Sequence, residues 1–90
     1  MTKQKSGSKS NENVDFRSFK IIIIEDDEGL GKLIQVTLQR EGFSCALAET
    51  GKDAIPKVKG APNEILLIDY KLPDMSGMEL VKKLIQKHSS

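Results

Sequence analysis

The sequence predicts an α/β fold with a parallel sheet, and two observations carry this prediction. Segments with strand character alternate three times with segments of helical periodicity along the 90 residues. Two of the strand segments, residues 20–25 and 64–69, are apolar at consecutive positions, which is typical of parallel strands buried on both faces. Alternation of this kind favours right-handed crossovers that place the helices on the faces of the sheet.

The first helix and the second strand have clear boundaries. Asp27 or Glu28 can cap a helix whose apolar residues recur at helical spacing, and Glu41 and Gly42 supply its C-terminal stop. Residues 43–48 alternate apolar and small side chains, which predicts a strand.

The remaining two helices are marked by their N-terminal residues. Thr50 is the expected N-cap of a helix over residues 51–59, in which Pro56 predicts a kink or an early end. Ser76 and Glu79 form the pattern of a capping box, which predicts that the third helix begins there and follows the third strand.

Composition and charge exclude several functions. A chain of 90 residues forms one small domain. Its formal net charge of +1 gives no support for direct nucleic-acid binding. We expect no membrane span, because the longest apolar runs are far shorter than the ~20 residues that a spanning helix needs. Cys45 is the only cysteine, which excludes a disulfide scaffold and favours a reducing, cytoplasmic location.

The N-terminal residues differ in composition from the rest of the chain. Residues 1–18 are rich in Ser, Lys and Asn and contain no apolar segment of the kind that a signal peptide needs. We therefore predict a disordered polar tail over residues 1–18 and a folded domain over residues 19–90.

Acidic side chains follow two of the predicted buried strands. Glu25 and Asp26 end the first strand, and Asp69 ends the third. If these parallel strands are neighbours, the carboxylates converge at the carboxyl edge of the sheet, where ligands of such folds bind. A hard divalent cation such as Mg²⁺ would relieve their repulsion and leave positions for phosphate oxygens. The next two acids, Asp27 and Glu28, are explained by the positive end of the following helix dipole.

Two segments resemble the motifs of one known family, the two-component response-regulator receiver domains. Residues 21–28 (IIIIEDDE), followed by an amphipathic helix and Glu41-Gly42-Phe43, resemble the opening of a receiver domain. Residues 66–77 (LLIDYKLPDMSG) resemble the phosphoacceptor segment of this family. The spacing between the two segments also fits the family. The resemblance implies a flavodoxin-like parallel sheet, with this chain as the (βα)3 portion of a (βα)5 receiver fold.

The resemblance also implies a role for each acidic residue. Asp69 corresponds to the aspartate that accepts a phosphoryl group from a sensor histidine kinase or a phosphotransfer protein. Glu25 and Asp26 correspond to the pair that holds Mg²⁺ together with Asp69, and the backbone carbonyl of Lys71 corresponds to a further protein ligand. These roles describe a regulatory phosphoacceptor and not an enzyme.

The resemblance ends with the third helix. The family's fourth and fifth strands, with the hydroxyl and lysine residues that they carry in receivers, have no counterpart in residues 19–90. We therefore expect a C-terminally truncated receiver whose third strand, residues 65–68, forms a bare apolar edge. The sequence leaves three outcomes open, and it favours a fragment or a truncated receiver that oligomerises, in the simplest case as a homodimer through this strand. A chain that folds poorly on its own is the remaining alternative.

Of three other candidate functions, two require a residue that the sequence lacks, and one stays open. A haloacid-dehalogenase-type phosphatase would have a second acid two residues after the nucleophile, where this sequence has Lys71. A nucleotide-binding loop would need a third glycine beside Gly29 and Gly31. A receiver-like module that binds a partner without being phosphorylated has the same residues as the favoured interpretation, so this alternative stays open.

Overall fold

A computed structural model describes residues 14–89 of the chain. Three strands and three helices alternate in it: β1 (Lys20–Ile24), α1 (Glu28–Arg40), β2 (Ser44–Ala48), α2 (Gly51–Lys57), β3 (Glu64–Ile68) and α3 (Gly77–His88). A short 3₁₀ helix, Phe16–Ser18, precedes β1. The predicted disordered tail falls mostly on residues 1–13, which lie outside the described residues. None of the described helices is long and apolar enough to cross a membrane.

The three strands form one parallel sheet in the order β2-β1-β3. Its register places Ile24 at the end of β1 beside Ala48 of β2 and Ile68 of β3. All three strands therefore end at the same edge of the sheet, as the predicted parallel α/β fold requires. Because β1 is the central strand, its four isoleucines are only 0–5% exposed.

The main core lies between the sheet and the helices α2 and α3. Ile22 and Ile24 belong to this core, and they pack with six other buried residues: Ala48, Ala54, Val58, Leu72, Leu80 and Leu84. Ile21 and Ile23 point to the opposite face, where α1 packs on β1 and β2. Since successive residues of a strand point to opposite faces, the isoleucine run supplies both layers.

Each helix begins at a residue that the sequence predicts as its cap. Asp27 caps α1, Thr50 caps α2 and Ser76 caps α3, and each side chain accepts a hydrogen bond from the backbone N–H three residues later. The Glu79 side chain also accepts a hydrogen bond from the Ser76 N–H, which completes the capping box. Local side-chain chemistry therefore sets where the helices start.

Two helix ends depend on residues with special backbone preferences. Helix α2 contains Pro56 and ends one residue later, at Lys57; Pro56 lacks the N–H that would bond to the Lys52 carbonyl, which weakens this last turn. The predicted extension to residue 59 is therefore two residues too long. After α1, Gly42 has a φ of +99° and its N–H donates to the carbonyl of Gln39. This backbone conformation favours glycine.

The structure of β3 differs from the prediction of a strand buried on both faces. Leu66 and Ile68 are half-buried beside the main core, but Ile65 and Leu67 on the opposite face are each 44% exposed. The reason is that α1 packs on β1 and β2 and leaves β3 largely uncovered. Within residues 14–89, no strand pairs with the outer side of β3, so it is an apolar edge strand.

Replacement of Leu80 by alanine should destabilise the fold, because Leu80 is fully buried in the main core. We expect Leu80→Ala to lower the free energy of unfolding by about 2–5 kcal/mol, the usual cost of truncating a buried leucine. Urea denaturation measures this loss.

The matched control is Ile85→Ala on the same helix, because Ile85 is 59% exposed. This variant should change the free energy of unfolding by less than about 0.5 kcal/mol. Equal losses in the two variants would contradict the packing of α3 described above.

Candidate metal centre

Three carboxylates meet where β1 and β3 end. Glu25, Asp26 and Asp69 each place one carboxylate oxygen within 4.8 Å of the oxygens of the other two. The main chain holds two of these residues there: the Asp69 N–H donates to the Ile24 carbonyl at 2.9 Å, and the Glu25 N–H donates to the Ala48 carbonyl at 2.9 Å. The structure therefore brings together the three side chains that the sequence predicts as metal ligands.

The surroundings of this acidic cluster are partly apolar. Asp26 is exposed, whereas Glu25 and Asp69 are half-buried. A cleft of about 150 Å³ adjoins the two half-buried carboxylates, and its other lining residues are Ile23, Ile24, Ile34, Leu67 and Ile68. An apolar wall of this kind strengthens the electrostatic interactions of the carboxylates, because it excludes water from one side of the cluster.

The pKa of the Glu25 carboxyl is raised above its usual value of 4.5. The N–H of Asp27, which donates to Glu25 Oε2 at 3.1 Å, acts to lower this pKa. Desolvation and the neighbouring carboxylates of Asp69 and Asp26 act in the opposite direction and together outweigh that hydrogen bond. A cation among the three carboxylates would relieve this repulsion.

The arrangement of the oxygens fits a hard divalent cation. Mg²⁺ binds oxygen ligands at about 2.0–2.1 Å, so two direct ligands of one ion lie up to about 4 Å apart, and a carboxylate that binds through water lies further away. The separations in the cluster, up to 4.8 Å, fit one ion that binds some carboxylates directly and others through water.

Lys71, the fourth predicted ligand, follows Asp69 in the loop between β3 and α3. Its N–H donates to Asp69 Oδ1 at 3.4 Å, and the residue pairs with Ser76 across the loop. The side chain is exposed. The role of the Lys71 carbonyl as a ligand stays a prediction from the family resemblance.

One carboxylate near the site has a role that sequence reasoning missed. Asp74 accepts hydrogen bonds from the N–H groups of Gly51 and Lys52, both at 2.9 Å. These two bonds hold the pKa of Asp74 below its usual value of 3.8. No local pattern reveals the contact, because its partners are 22 and 23 positions away along the chain.

Comparison with known proteins identifies the family. The family model of the response regulator receiver domain matches residues 21–90. The chain therefore belongs to the response regulator receiver domains, the regulatory domains of two-component signal transduction.

A similar curated protein is the alkaline phosphatase synthesis transcriptional regulatory protein PhoP of Bacillus subtilis. It is 31% identical over 68 residues, which are 76% of this chain and 28% of PhoP. The chain thus spans less than a third of the length of this relative.

Similar solved structures are also receiver domains. The non-phosphorylated HemR receiver domain of Leptospira biflexa has a TM-score of 0.72 and 26% identity, and the match covers 80% of this chain and 58% of that one. The response regulator TrrA of Thermotoga maritima in complex with Mg²⁺-BeF has a TM-score of 0.69 and 26% identity, with coverages of 78% and 61%. TrrA in complex with the histidine kinase ThkA matches with a TM-score of 0.69 and 25% identity over 80% and 62% of the chains. These likenesses confirm the predicted flavodoxin-like receiver fold.

The raised pKa of Glu25 predicts how the stability of the metal-free protein depends on pH. The folded state holds the Glu25 proton to a higher pH than the unfolded chain does, so the free energy of unfolding should fall as pH rises above about 4.5. Glu25→Gln should remove this part of the decline. Urea denaturation in a chelator, over a series of pH values that starts at about pH 4, measures the slope.

Glu41→Gln is the control, because Glu41 is an exposed acid that follows α1 outside the cluster. It should keep the pH dependence of the wild type. The lowered pKa of Asp74 contributes with the opposite sign, since its stabilisation is lost as pH falls below about 3.8, outside the measured window. A slope that Glu25→Gln leaves unchanged would contradict the combined effect of desolvation and the neighbouring carboxylates on Glu25.

Proposed function

We propose that this receiver domain accepts a phosphoryl group on Asp69 while a Mg²⁺ ion is held by Glu25, Asp26, Asp69 and the Lys71 carbonyl. The observation that carries the proposal is the meeting of three carboxylates within 4.8 Å at the carboxyl edge of the sheet. The proposed donor is a phosphohistidine of a sensor histidine kinase or a phosphotransfer protein. The similarity to TrrA, which has been crystallised with Mg²⁺-BeF and with a histidine kinase, supports both the ion and the donor.

The proposed transfer is a displacement at phosphorus. A carboxylate oxygen of Asp69 attacks the phosphorus, the phosphorus–nitrogen bond of the donor breaks, and its electron pair remains on the imidazole. The product is an acyl phosphate on Asp69. Mg²⁺, when bound, would neutralise negative charge on the phosphoryl oxygens and the carboxylates. The chain contributes orientation, because the Asp69 N–H is bound to the Ile24 carbonyl and the Lys71 N–H to Asp69 Oδ1.

The proposed role is regulatory and not enzymatic. Asp69 receives the phosphoryl group and becomes modified itself, so the phosphorylated domain is the signal. A cytoplasmic location is part of the proposal, because the free Cys45 thiol suits a reducing compartment.

Incubation with acetyl phosphate and Mg²⁺ should add the mass of one phosphoryl group to the wild-type chain, measured by intact-mass spectrometry. Asp69→Asn should stay unmodified, because an amide is not the required nucleophile. Asp26→Asn should reduce the modification, because it removes a ligand of the ion. Asp53→Asn should react like the wild type, because Asp53 is exposed on α2 outside the cluster.

Two results would count against the phosphoacceptor role. Absence of added mass on a wild-type chain that circular dichroism shows to be folded would favour a module that binds its partner without phosphorylation. Equal modification of Asp69→Asn and the wild type would place the acceptor at another residue.

We also propose that a second copy of this chain pairs with the outer side of β3. The Asn63 carbonyl and the Asp69 N–H both bond to β1. Because main-chain groups alternate in direction along a strand, the N–H and C=O groups of Leu66 and Ile68 face away from the sheet. These free groups can accept a further strand.

The exposed side chains of β3 suit an antiparallel, two-fold arrangement. Pairing centred on Leu66 would place Ile65 directly opposite Leu67 of the second copy, and Leu67 opposite its Ile65. Both residues, which are half exposed in the single chain, would then contact a side chain of the second copy. The contact is self-complementary, as a two-fold symmetric interface requires.

Sedimentation velocity should show a dimer for the wild type and a monomer for the double variant Ile65→Lys/Leu67→Lys. The substitutions would place like charges directly opposite each other across the proposed strand pair. Leu33→Lys is the control, because Leu33 is exposed but lies on α1 and not on β3. This variant should remain dimeric. A monomeric wild type would exclude this arrangement.

A further inference from the structure

The loop between β3 and α3 carries two of the proposed metal ligands. This acceptor loop, residues 69–76, contains Asp69 and Lys71. Two hydrogen bonds close it: the Leu72 N–H donates to the Met75 carbonyl at 3.0 Å, and the N–H of Gly77, just after the loop, donates to the Tyr70 carbonyl at 2.8 Å. These bonds shape the loop but do not attach it to another part of the fold.

Asp74 attaches the acceptor loop to the first turn of α2. Each of its carboxylate oxygens accepts one backbone N–H, Oδ1 from Gly51 and Oδ2 from Lys52, both at 2.9 Å. The N-cap of α2, Thr50, accepts only the N–H of Asp53 with its side chain. Asp74 therefore satisfies two of the N–H groups that the start of a helix leaves without an intrahelical partner.

Two apolar contacts support the same attachment. Met75 packs against Gly51 so closely that a Cβ atom at residue 51 would lie 2.5 Å from the Met75 sulfur. Leu72 is buried in the main core. The carboxylate and the two apolar side chains thus fasten the acceptor loop at three points, while its proposed ligands, Asp69 and Lys71, lie before the fastened segment.

We propose that Asp74 is a positioning residue of the metal centre, which holds the acceptor loop on α2 and thereby sets the geometry of Asp69 and the Lys71 carbonyl. The metal part of this inference rests on the proposed function, whereas the attachment of the loop does not. The physical reason is that an Mg²⁺ site demands nearly ideal octahedral geometry, so a ligand loop that shifts costs affinity.

The attachment is tested first without metal, by amide hydrogen exchange in a chelator. Asp74→Ala should accelerate exchange of the Leu72 and Gly77 amides, which the closed loop protects, and of the Lys52 amide, which loses its acceptor. Asp53→Asn is the matched control. It changes an exposed acid in the same first turn of α2, whereas the hydrogen bonds between this turn and the acceptor loop go to Asp74.

The consequence for the metal centre is tested by Mg²⁺ titration, with the emission of Tyr70 as the signal. Tyr70 is the only tyrosine, the chain has no tryptophan, and the residue lies beside Asp69. Asp74→Ala should weaken Mg²⁺ binding about tenfold, the lower end of the effect of removing groups that orient metal ligands. The Mg²⁺ affinity of Asp74→Asn should lie between those of the wild type and Asp74→Ala, because its amide keeps one acceptor oxygen. Asp53→Asn should bind like the wild type.

The outcomes separate this inference from the proposed function. If wild-type protein binds Mg²⁺ and folded Asp74→Ala binds it equally well, Asp74 stabilises the fold only and the positioning role is overturned. Unchanged exchange of the Leu72 and Gly77 amides in Asp74→Ala overturns it as well. If wild-type protein itself shows no Mg²⁺ binding, by emission or by calorimetry, the proposed metal site fails, and the role of Asp74 in that site fails with it. Faster exchange in Asp74→Ala would then still establish the attachment of the loop.

Discussion

The parallel pairing of β1 with β3 is the constraint on which the site depends. The register places Ile24 beside Ile68, so the residues that follow each of them, Glu25 and Asp69, leave the sheet at the same edge. A shift of this register by one residue would turn every side chain of β3 to the other face. It would expose Leu66 and Ile68, which pack against the main core, and would separate the carboxylates. Burial of the core therefore specifies the register, and the register assembles the acidic cluster.

Bringing the three carboxylates together destabilises the folded state electrostatically, so other interactions of the fold must offset this repulsion. Three carboxylates lie within 4.8 Å beside a partly apolar cleft, and desolvation together with the neighbouring carboxylates raises the pKa of Glu25. Burial of all four isoleucines of the central strand stabilises the fold and offsets this cost. A site that is unfavourable without a cation and sits on a rigid strand end is well suited to bind one.

The two connections around the site differ in how they are held. The short connection from β1 to α1 is fixed locally, since Asp27 caps its own helix and donates its N–H to Glu25. The acceptor loop is held over a long sequence distance, through Asp74 on the first turn of α2. Helix α2 therefore has two roles: it packs on the core, and its N-terminal turn binds the acceptor loop that follows Asp69.

One edge and one face of the sheet stay uncovered in the part of the chain that the structure describes. The chain covers 58% of the HemR receiver domain and 28% of PhoP, so these relatives contain structure beyond the matched region. Within residues 14–89, the outer side of β3 has no strand partner, and Ile65 and Leu67 are half exposed on one face. An edge of this kind favours association with another strand.

The sequence by itself determined the elements, their caps and the residue types of the site. These features depend on neighbouring positions: the isoleucine run marks a buried strand, and Ser76 with Glu79 marks a helix start. Only the tertiary structure decided the exposure of one face of β3 and the contact of Asp74 with α2. Each of these depends on which distant segments pack together, and hydrophobic periodicity specifies that a face is buried but not which element covers it.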